Sequence, residues 1–408
     1  MLEENINTKE KKFFFLYLLI LFLSSLIFLF NKHTVGNNFT ISEWLINYQG
    51  GFTRRGLLGD LAFNLGVLFK TKIRFIIFLF QSLFYIIFII LTFNFFKNIK
   101  INLISRLALY TPIFLLYPLA EVEVLVRKET IIFIIFIILL NLASNKYNKK
   151  YCNIYTIFLF PLSFLIWEPT IFFFPFIFFI LYLKNYKKNI LITILKILLI
   201  SSPSIITFLF VILNPLSEVG HEKMCRALVF YFKENCYMAL DMLKSKSTIA
   251  QQFTENFPAY KIENFIRYIL IILLGFLPFF ILSTNSKLNK KNVNLFFKFK
   301  SFLVPSIILL VLTPVCFAAM YDWGRVVNIS YTFSIFTYFF LMKNNYIFFK
   351  EGKSFIFIKK IFNNKNYYFI LFFFYCFCWN IKTVITDKIG SIPLYKIITK
   401  SAKILINY

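Results

Sequence analysis

Apolar positions form long runs that recur from one end of the chain to the other, separated by short polar segments. A run of about 18 apolar residues is long enough for an α-helix to cross a bilayer core. The pattern therefore predicts an all-α fold, a polytopic transmembrane helix bundle that occupies residues 1–408 as a single integral membrane domain. We predict about eleven spans, near residues 13–30, 73–95, 105–119, 129–143, 152–167, 169–183, 190–213, 265–283, 301–319, 326–342 and 366–385.

The charged residues divide the loops between these runs into two classes. Lysine-rich loops that are nearly free of acids are residues 97–106, 146–150, 184–188, 287–300 and 343–365. Positively charged loops stay on the cytoplasmic side of a membrane. We therefore expect these loops and the N-terminus to be cytoplasmic, in a multi-pass protein of a bacterial inner membrane. The other loops should face outward, and they hold Glu43, Asp60, Glu121, Glu123, Glu168, Glu218, Glu222, Glu234, Asp241, Glu255, Glu263 and Asp322.

The net charge of +27 first suggests a nucleic-acid partner. The lysines, however, lie in short clusters between apolar runs, where the positive-inside rule places them. We therefore expect no nucleic acid among the partners, and we expect membrane lipid around the bundle.

Two outer segments are longer than simple connections. Residues 31–71 form the first outer loop, and apolar residues at helical spacing in its second half predict an amphipathic helix over residues 56–70, lying in the membrane interface. Residues 214–264 form the largest outer loop, in which we expect short helices that cap the bundle. This loop contains Cys225 and Cys236, which would pair as a disulfide if the loop faces an oxidising compartment.

Four outer motifs combine charge with unusual neighbours. The first, residues 50–60, reads GGFTRRGLLGD. Its glycines let backbone approach a ligand closely, and the paired Arg54 and Arg55 suit bidentate contact with phosphate; simple anchoring to lipid headgroups is the alternative. The second, residues 121–129, holds Arg127 at the edge of a span, where an arginine normally needs a partner; a solvated turn with local ion pairs is the alternative.

The third motif, residues 167–170, places Glu168 between two short apolar runs, at or below the outer interface. A carboxylate at that depth is costly and by default marks function. It suits general acid or base chemistry, and a structural pair with an arginine is the alternative. The fourth motif, residues 321–325, offers the Asp322 carboxylate and the Arg325 guanidinium beside a tryptophan that suits a sugar ring. Mutual pairing of the two charges, with the tryptophan as an interfacial anchor, is the alternative.

Several functional classes lack their signatures in the sequence. No Walker A loop is present, which argues against an ATP-driven pump, and no span holds the ladder of acids that relays protons. No His or Cys residues have metal-ligand spacing, so we expect neither a metal nor a cofactor. His221, in the largest outer loop, is a weaker candidate for a base.

The motifs GGFTRRGLLGD at residues 50–60, VRKE at 126–129, WEPT at 167–170 and DWGR at 322–325 together resemble those of bacterial envelope-glycan membrane proteins. The overall plan is similar to that of Wzy-type oligosaccharide repeat-unit polymerases and, more broadly, of GT-C glycosyltransferases. The resemblance implies transfer of glycan from a polyprenyl-diphosphate carrier at the outer face of the inner membrane, in surface polysaccharide synthesis. It also implies chain-length or export proteins as partners.

The resemblance assigns roles to the motif residues. Glu168 or Asp322 would act as the base, and GT-C enzymes usually place a catalytic acid in the first outer loop, where Glu43 and Asp60 stand here. His221 keeps open the variant of the O-antigen ligases, which use an arginine and a histidine in outer loops. The outer-loop arginines that would bind substrate are Arg54, Arg55, Arg127 and Arg325.

Two other functions stay open at the level of the sequence. A flippase or transporter of lipid-linked glycan should line a central cavity with cationic residues from several spans. A non-enzymatic membrane scaffold should leave the outer charged residues scattered in space.

Overall fold

The computed structural model of the protein describes residues 2–34, 36–99, 102–144, 147–186, 189–243, 249–289, 299–352, 355–356, 360, 365–387 and 392–406. These residues are mostly helical and contain one short two-stranded sheet, β1 (Ser286–Leu288) and β2 (Ile347–Phe349). The helices are α1 (Leu2–Thr34), α2 (Phe39–Ser42), α3 (Leu57–Leu68), α4 (Ile73–Phe96), α5 (Leu103–Tyr110), α6 (Tyr117–Ala120), α7 (Glu129–Ala143), α8 (Lys149–Phe158), α9 (Phe160–Ile166), α10 (Phe174–Asn185), α11 (Ile190–Leu213), α12 (Glu218–Phe232), α13 (Ile249–Asn256), α14 (Ile262–Thr284), α15 (Leu303–Leu309), α16 (Thr313–Ala319), α17 (Trp323–Lys343), α18 (Lys365–Phe377) and α19 (Pro393–Ile406). Short 3-10 turns occupy Glu43–Leu45, Val122–Val124, Glu168–Phe173, Asp241–Leu243 and Phe257–Ala259.

Within the described residues, five helical segments are long and apolar enough to cross a membrane: Thr8–Thr34 of α1, α4, Glu168–Asn185, α11 and α14. The all-α prediction is confirmed. The predicted spans 73–95 and 190–213 match α4 and α11 to within one residue, because both are long, predominantly apolar segments between polar flanks. The count of about eleven spans stays a prediction.

Three of the predicted spans are interrupted, and in a fourth, 366–385, the helix ends at Phe377. Residues 105–119 form α5, a turn and α6; residues 152–167 form α8 and α9; and residues 301–319 form α15 and α16. Pro161 and Pro314 stand in the first turns of α9 and α16. Proline begins a helix more readily than it continues one, because it lacks the backbone N–H. Apolar composition alone does not reveal these interruptions.

The core lies around α17, which is buried along almost its entire length. Its polar side chains donate hydrogen bonds to backbone carbonyls of the neighbouring interrupted segment, residues 105–119. Asn328 Nδ2 donates to the carbonyl oxygens of Ile113 and Phe114 at 2.8 and 2.9 Å, and the Tyr331 hydroxyl donates to the Ala108 carbonyl at 2.7 Å. Backbone groups away from water need such partners. The polar residues of α17 thus stabilise non-helical backbone inside the bundle.

Contacts among the lysine-rich loops place them together at one end of the bundle, which we call the lysine-rich end. β1 and β2 pair antiparallel and so join two of these loops. A third loop is close by, since Lys343 Nζ donates to the Phe95 carbonyl at 2.9 Å. Parts of these loops, among them residues 290–298 and 361–364, lie outside the described residues.

The opposite end of the bundle carries the two long outer segments. Residues Leu57–Leu68 form the helix predicted within residues 56–70, and its place in the membrane interface stays a prediction. In the larger segment, α12 packs closely against the first outer loop. A Cβ on Gly50 would come within 1.8 Å of the Gly220 carbonyl oxygen, so only glycine fits at this contact.

A disulfide between Cys225 and Cys236 closes part of the larger outer segment, with the Cα atoms 5.5 Å apart. The sequence left this pairing open. Two residues before Cys236, the Glu234 carboxylate accepts hydrogen bonds from the Arg74 guanidinium at 2.8 and 2.5 Å. The ion pair fastens this segment to the first turn of α4, beside the part that the disulfide closes.

Candidate functional site

Nine charged side chains from five separate segments meet at the end of the bundle opposite the lysine-rich end. The structure thereby brings together all six residues that the sequence analysis assigns to a site, although they come from motifs far apart in the chain. We call the group the charged cluster, and its members are Glu43, Arg54, Arg55, Arg127, Lys128, Glu129, Glu168, Asp322 and Arg325.

The fold positions the charged cluster where several helices begin. Glu129 is the first residue of α7, and Glu168 begins the 3-10 turn that leads into α10. Asp322 directly precedes α17. Free backbone N–H groups and the helix dipole stabilise negative charge at such N-termini. The arginines of the first outer loop then reach these carboxylates from above the helix ends.

Glu43 forms the centre of the charged cluster, and its side chain is fully buried. Arg127 Nε donates to Glu43 Oε2 at 2.8 Å, while the guanidinium groups of Arg55 and Arg325 each lie 3.5 Å from Oε1. Burial acts to raise the pKa of Glu43, but the charges of Arg127, Arg325 and Arg55 outweigh it and hold the pKa well below its usual value. Glu43 is therefore an ionised hub that binds three arginines.

Glu168 is engaged on both of its oxygens by one arginine. Arg55 Nε and Nη2 donate to this carboxylate at 2.8 and 2.7 Å, the bidentate geometry that arginine forms best. Arg54 Nη1 lies 3.9 Å from Glu168, beyond hydrogen-bond distance. A carboxylate held in this way orients Arg55 and has little freedom to accept a proton from a substrate.

Asp322 lies at the rim of the charged cluster, with 29% of its side chain exposed. Its Oδ2 is 3.6 Å from Arg127 Nη1 and 3.5 Å from Arg325 Nη1, so no single arginine saturates it. Burial raises the pKa of Asp322 above its usual value, because the attraction of Arg127 offsets the burial only in part. An accessible carboxylate with a raised pKa suits a general base better than Glu168 does.

Arg325 connects the charged cluster to the third motif. Its guanidinium pairs with Glu129 and lies over the ring of Trp167, with 5.6 Å between Cζ and the ring centroid. Only 5% of its side chain is exposed. Among the described residues, Arg325 Nε has no hydrogen-bond partner, and a buried donor of this kind normally has one.

Lys128 is a member of the charged cluster that the sequence analysis passed over in favour of Arg127. It is fully buried, and its Nζ donates to the backbone carbonyl of Arg55. Burial lowers the pKa of Lys128 to about 7, and the attraction of Glu43 does not compensate for it. The only sequence signal was its place between Arg127 and Glu129.

The pKa of Lys128 predicts a pH-dependent stability. The pKa of Lys128 is about 7 in the folded protein and 10.5 in its ordinary state. Between these two pH values Lys128 is protonated in the unfolded chain but not in the folded protein, so the stability of the fold rises with pH across that interval. Below about pH 7 the folded protein bears the full cost of the buried charge. Lys128→Met should therefore unfold at a higher temperature than the wild type near pH 6 and lose this advantage towards about pH 9. Thermal unfolding at several pH values, with the exposed Lys150→Met as control, measures this; parallel curves would contradict it.

Strained backbone flanks the charged cluster. Arg55 and Val126 adopt left-handed conformations, with φ of 63° and 48°, and such a φ is especially unfavourable for a β-branched residue. Two hydrogen bonds hold Val126 in place, since its carbonyl accepts from Trp44 Nε1 at 3.2 Å and from Gln81 Nε2 at 3.4 Å. Strain that the surroundings maintain in this way is typical of functional sites.

Two sequence candidates lie elsewhere. Asp60 accepts hydrogen bonds from the Tyr48 backbone at 3.1 Å and from Asn64 Nδ2 at 3.0 Å, so it organises the first outer loop. His221 is buried against the disulfide, with Nε2 3.1 Å from the Leu240 carbonyl. The described contacts of both residues are thus outside the charged cluster, whereas Glu43, the other acid considered in the first outer loop, lies at its centre.

The exposed fraction of the side chains orders the charged cluster from interior to rim. Arg127 is 7% exposed, whereas Arg55 and Arg54 are 21% and 32% exposed. Arg54 and Asp322, which is 29% exposed, are thus among the more exposed members of the charged cluster. Guanidinium groups of this kind can bind an anion, and an accessible carboxylate can act as a base.

No protein-family model, no curated protein and no solved structure matches this chain.

Proposed function

We propose that the protein is a membrane glycosyltransferase, a polysaccharide polymerase that acts on polyprenyl-diphosphate-linked glycan at the outer face of a bacterial inner membrane. The observation that carries the proposal is the charged cluster, in which arginines from three motifs converge around a buried carboxylate. A scaffold would have no need for such convergence.

The charge balance of the cluster supports a diphosphate ligand. Its four arginines face four carboxylates, and Lys128, with a pKa of about 7, adds a surplus positive charge when it is protonated. Arg54 is the most loosely paired of the arginines, and Arg325 Nε is an open donor. A diphosphate would supply the acceptor oxygens and negative charge that these groups lack.

In the proposed reaction Asp322 acts as the base. It takes the proton from an acceptor sugar hydroxyl as that oxygen forms a bond to the anomeric carbon of the donor. The bond between that carbon and the diphosphate oxygen breaks, and polyprenyl diphosphate leaves with the electron pair. Arg54, Arg55, Arg127 and Arg325 stabilise the charge that develops on the leaving diphosphate, while Glu43 and Glu168 hold the arginines in position.

An apolar groove supports lateral entry of a lipid-linked substrate. The groove has a volume of about 310 Å³ and is lined by Phe174 and Phe178 of α10, by Ile308 of α15 and by Leu312, which follows α15. α10 follows directly from the turn that begins at Glu168, so one wall of the groove is continuous in the chain with a member of the charged cluster.

The proposed topology has about eleven spans, a cytoplasmic N-terminus and interfacial helices, α3 among them, on the outer side. Two observations support this orientation. The lysine-rich loops gather at one end, which is the cytoplasmic end of membrane proteins. The disulfide between Cys225 and Cys236 lies in the segment at the other end, and disulfides persist in oxidising compartments such as the periplasm.

The proposal predicts the phenotype of a deletion strain. Loss of the gene should abolish long surface glycan and leave single repeat units, still attached to their carrier, at the outer face of the inner membrane. Gel profiles of surface glycan, with enzymatic access to the carrier-linked units in spheroplasts, measure both effects. Accumulation at the inner face would favour a flippase instead, and an unchanged glycan profile would contradict the proposal.

A further inference from the structure

The C-terminal part of the chain crosses the end of the bundle that carries the charged cluster. The Gly324 amide donates to the Thr383 carbonyl at 3.1 Å, and the Ile385 amide donates to the Tyr321 carbonyl at 3.2 Å. These bonds hold residues 380–387 over the N-terminus of α17. The chain then continues into α19, which the sequence analysis did not predict because its apolar residues are too few for a span.

One face of α19 is docked on the bundle. Lys396 Nζ donates to the Ala120 carbonyl at 2.7 Å and to Glu121 Oε1 at 3.0 Å, and the side chain of Ile397 is buried. α19 packs against α1 and α6. Because α1 contains a segment able to cross a membrane, α19 is docked directly beside a candidate span.

The other face of α19 is apolar and uncovered. Tyr395, Ile398 and Ile406 are 66%, 65% and 80% exposed, and with the exposed Ala402 they follow one another at intervals of three or four residues. Such spacing puts them on one side of a helix. In water this stripe would be unfavourable, since contiguous apolar surface normally marks an interaction site.

Lysines flank this apolar stripe. Lys400 and Lys403 are exposed, and Lys396 lies one turn before Lys400. Residues 393–406 contain no Asp or Glu. A helix with an uncovered apolar stripe beside a basic one has the pattern of a helix that lies in a membrane surface and attracts anionic headgroups.

We propose that α19 lies in the plane of the membrane surface at the end of the bundle that carries the charged cluster, with its apolar stripe in the acyl boundary and Lys400 and Lys403 on anionic phospholipid headgroups. The inference does not depend on the proposed enzymatic function. Charge complementarity and the contact with α1 identify the lipid surface, rather than a protein, as the occupant of this face.

Hydrogen exchange of the full-length protein in nanodiscs tests the proposal. Peptides that cover residues 393–406 should exchange on the order of tenfold more slowly in phosphatidylcholine discs containing phosphatidylglycerol than in phosphatidylcholine alone, since each lysine near an anionic surface contributes appreciably to binding. Lys400→Gln combined with Lys403→Gln should abolish this difference. A matched pair at the lysine-rich end, Lys149→Gln with Lys150→Gln, should leave it intact.

Three outcomes would overturn the proposal. Equal exchange in the two kinds of disc would mean that anionic headgroups do not hold α19. Protection produced by inorganic phosphate in phosphatidylcholine discs would identify a soluble-anion site in place of a lipid surface. Retention of the lipid effect in the Lys400 and Lys403 double variant, folded as judged by its unchanged thermal midpoint, would remove the lysines from the interaction.

Discussion

Replacing Glu43 with Gln is expected to destabilise the protein by about 3–5 kcal/mol, the usual result of removing one partner from a buried ion pair. The Glu43 side chain is fully buried, so the substitution leaves Arg127, Arg325 and Arg55 facing a neutral amide away from solvent. Uncompensated buried charge costs far more than a lost surface pair. The thermal unfolding midpoint of the purified protein in detergent measures this effect, and it should fall by several degrees.

Two further variants separate the buried charge from a general sensitivity of this region. Glu123→Gln removes a carboxylate that pairs with Lys32 but is 47% exposed, so it should lower the midpoint little. Adding Arg127→Met to Glu43→Gln removes both partners of the closest pair and should restore part of the lost stability. Equal midpoints for Glu43→Gln and Glu123→Gln would show that the centre of the charged cluster is not an ionised hub.

Replacing Asp322 with Asn is expected to reduce glycan transfer by a factor of about 10² to 10⁴, the range for loss of a general base, while the fold is maintained. An amide keeps the shape of the side chain but cannot take the proton of the acceptor hydroxyl. Because Asp322 is 29% exposed and only loosely paired, stability should change little. Turnover of lipid-linked repeat units by the purified protein measures the loss.

Comparison with two other carboxylates sharpens the assignment of the base. Asp387→Asn changes an exposed acid in the neighbouring C-terminal segment and should transfer glycan normally. Glu168→Gln releases the bidentate hold on Arg55, so it should weaken donor binding and stability together. If Asp322→Asn keeps full activity while Glu168→Gln abolishes it in a folded protein, then Glu168 is the base and Asp322 is not.

The sequence predicted the long uninterrupted helices best, because their only requirement is an apolar run of sufficient length. The six side chains that the sequence singled out, because arginines and acids at span edges are costly when they have no partner, do lie together in the charged cluster; their role in a site stays a prediction. The sequence did not predict which of these side chains pair with one another. Arg127 and Glu43 are separated by 84 positions, and Arg55 and Glu168 by 113, so only the folded chain reveals that Glu43 binds three arginines.

Other features escaped the sequence for different physical reasons. A span can be interrupted only where buried donors such as Asn328 are in place to hydrogen-bond the carbonyl groups that the helix no longer pairs. The position of these donors depends on the tertiary structure. Lys128 acquires its low pKa from burial, which its neighbours in sequence do not determine. α19 was missed because a short amphipathic helix at the membrane surface has neither the length nor the hydropathy of a span.

The central claim is that the charged cluster acts on lipid-linked glycan, and the chain-length profile of surface glycan in a complemented deletion strain tests it most directly. Arg54→Ala is the informative variant, because Arg54 lies at the rim and is loosely paired, so its loss should spare the fold. Arg226→Ala is the matched control, an arginine in the larger outer segment that is 81% exposed. We predict that Arg226→Ala restores long chains whereas Arg54→Ala, present at the same level in the membrane, yields short ones. Full restoration of long chains by Arg54→Ala would contradict the account.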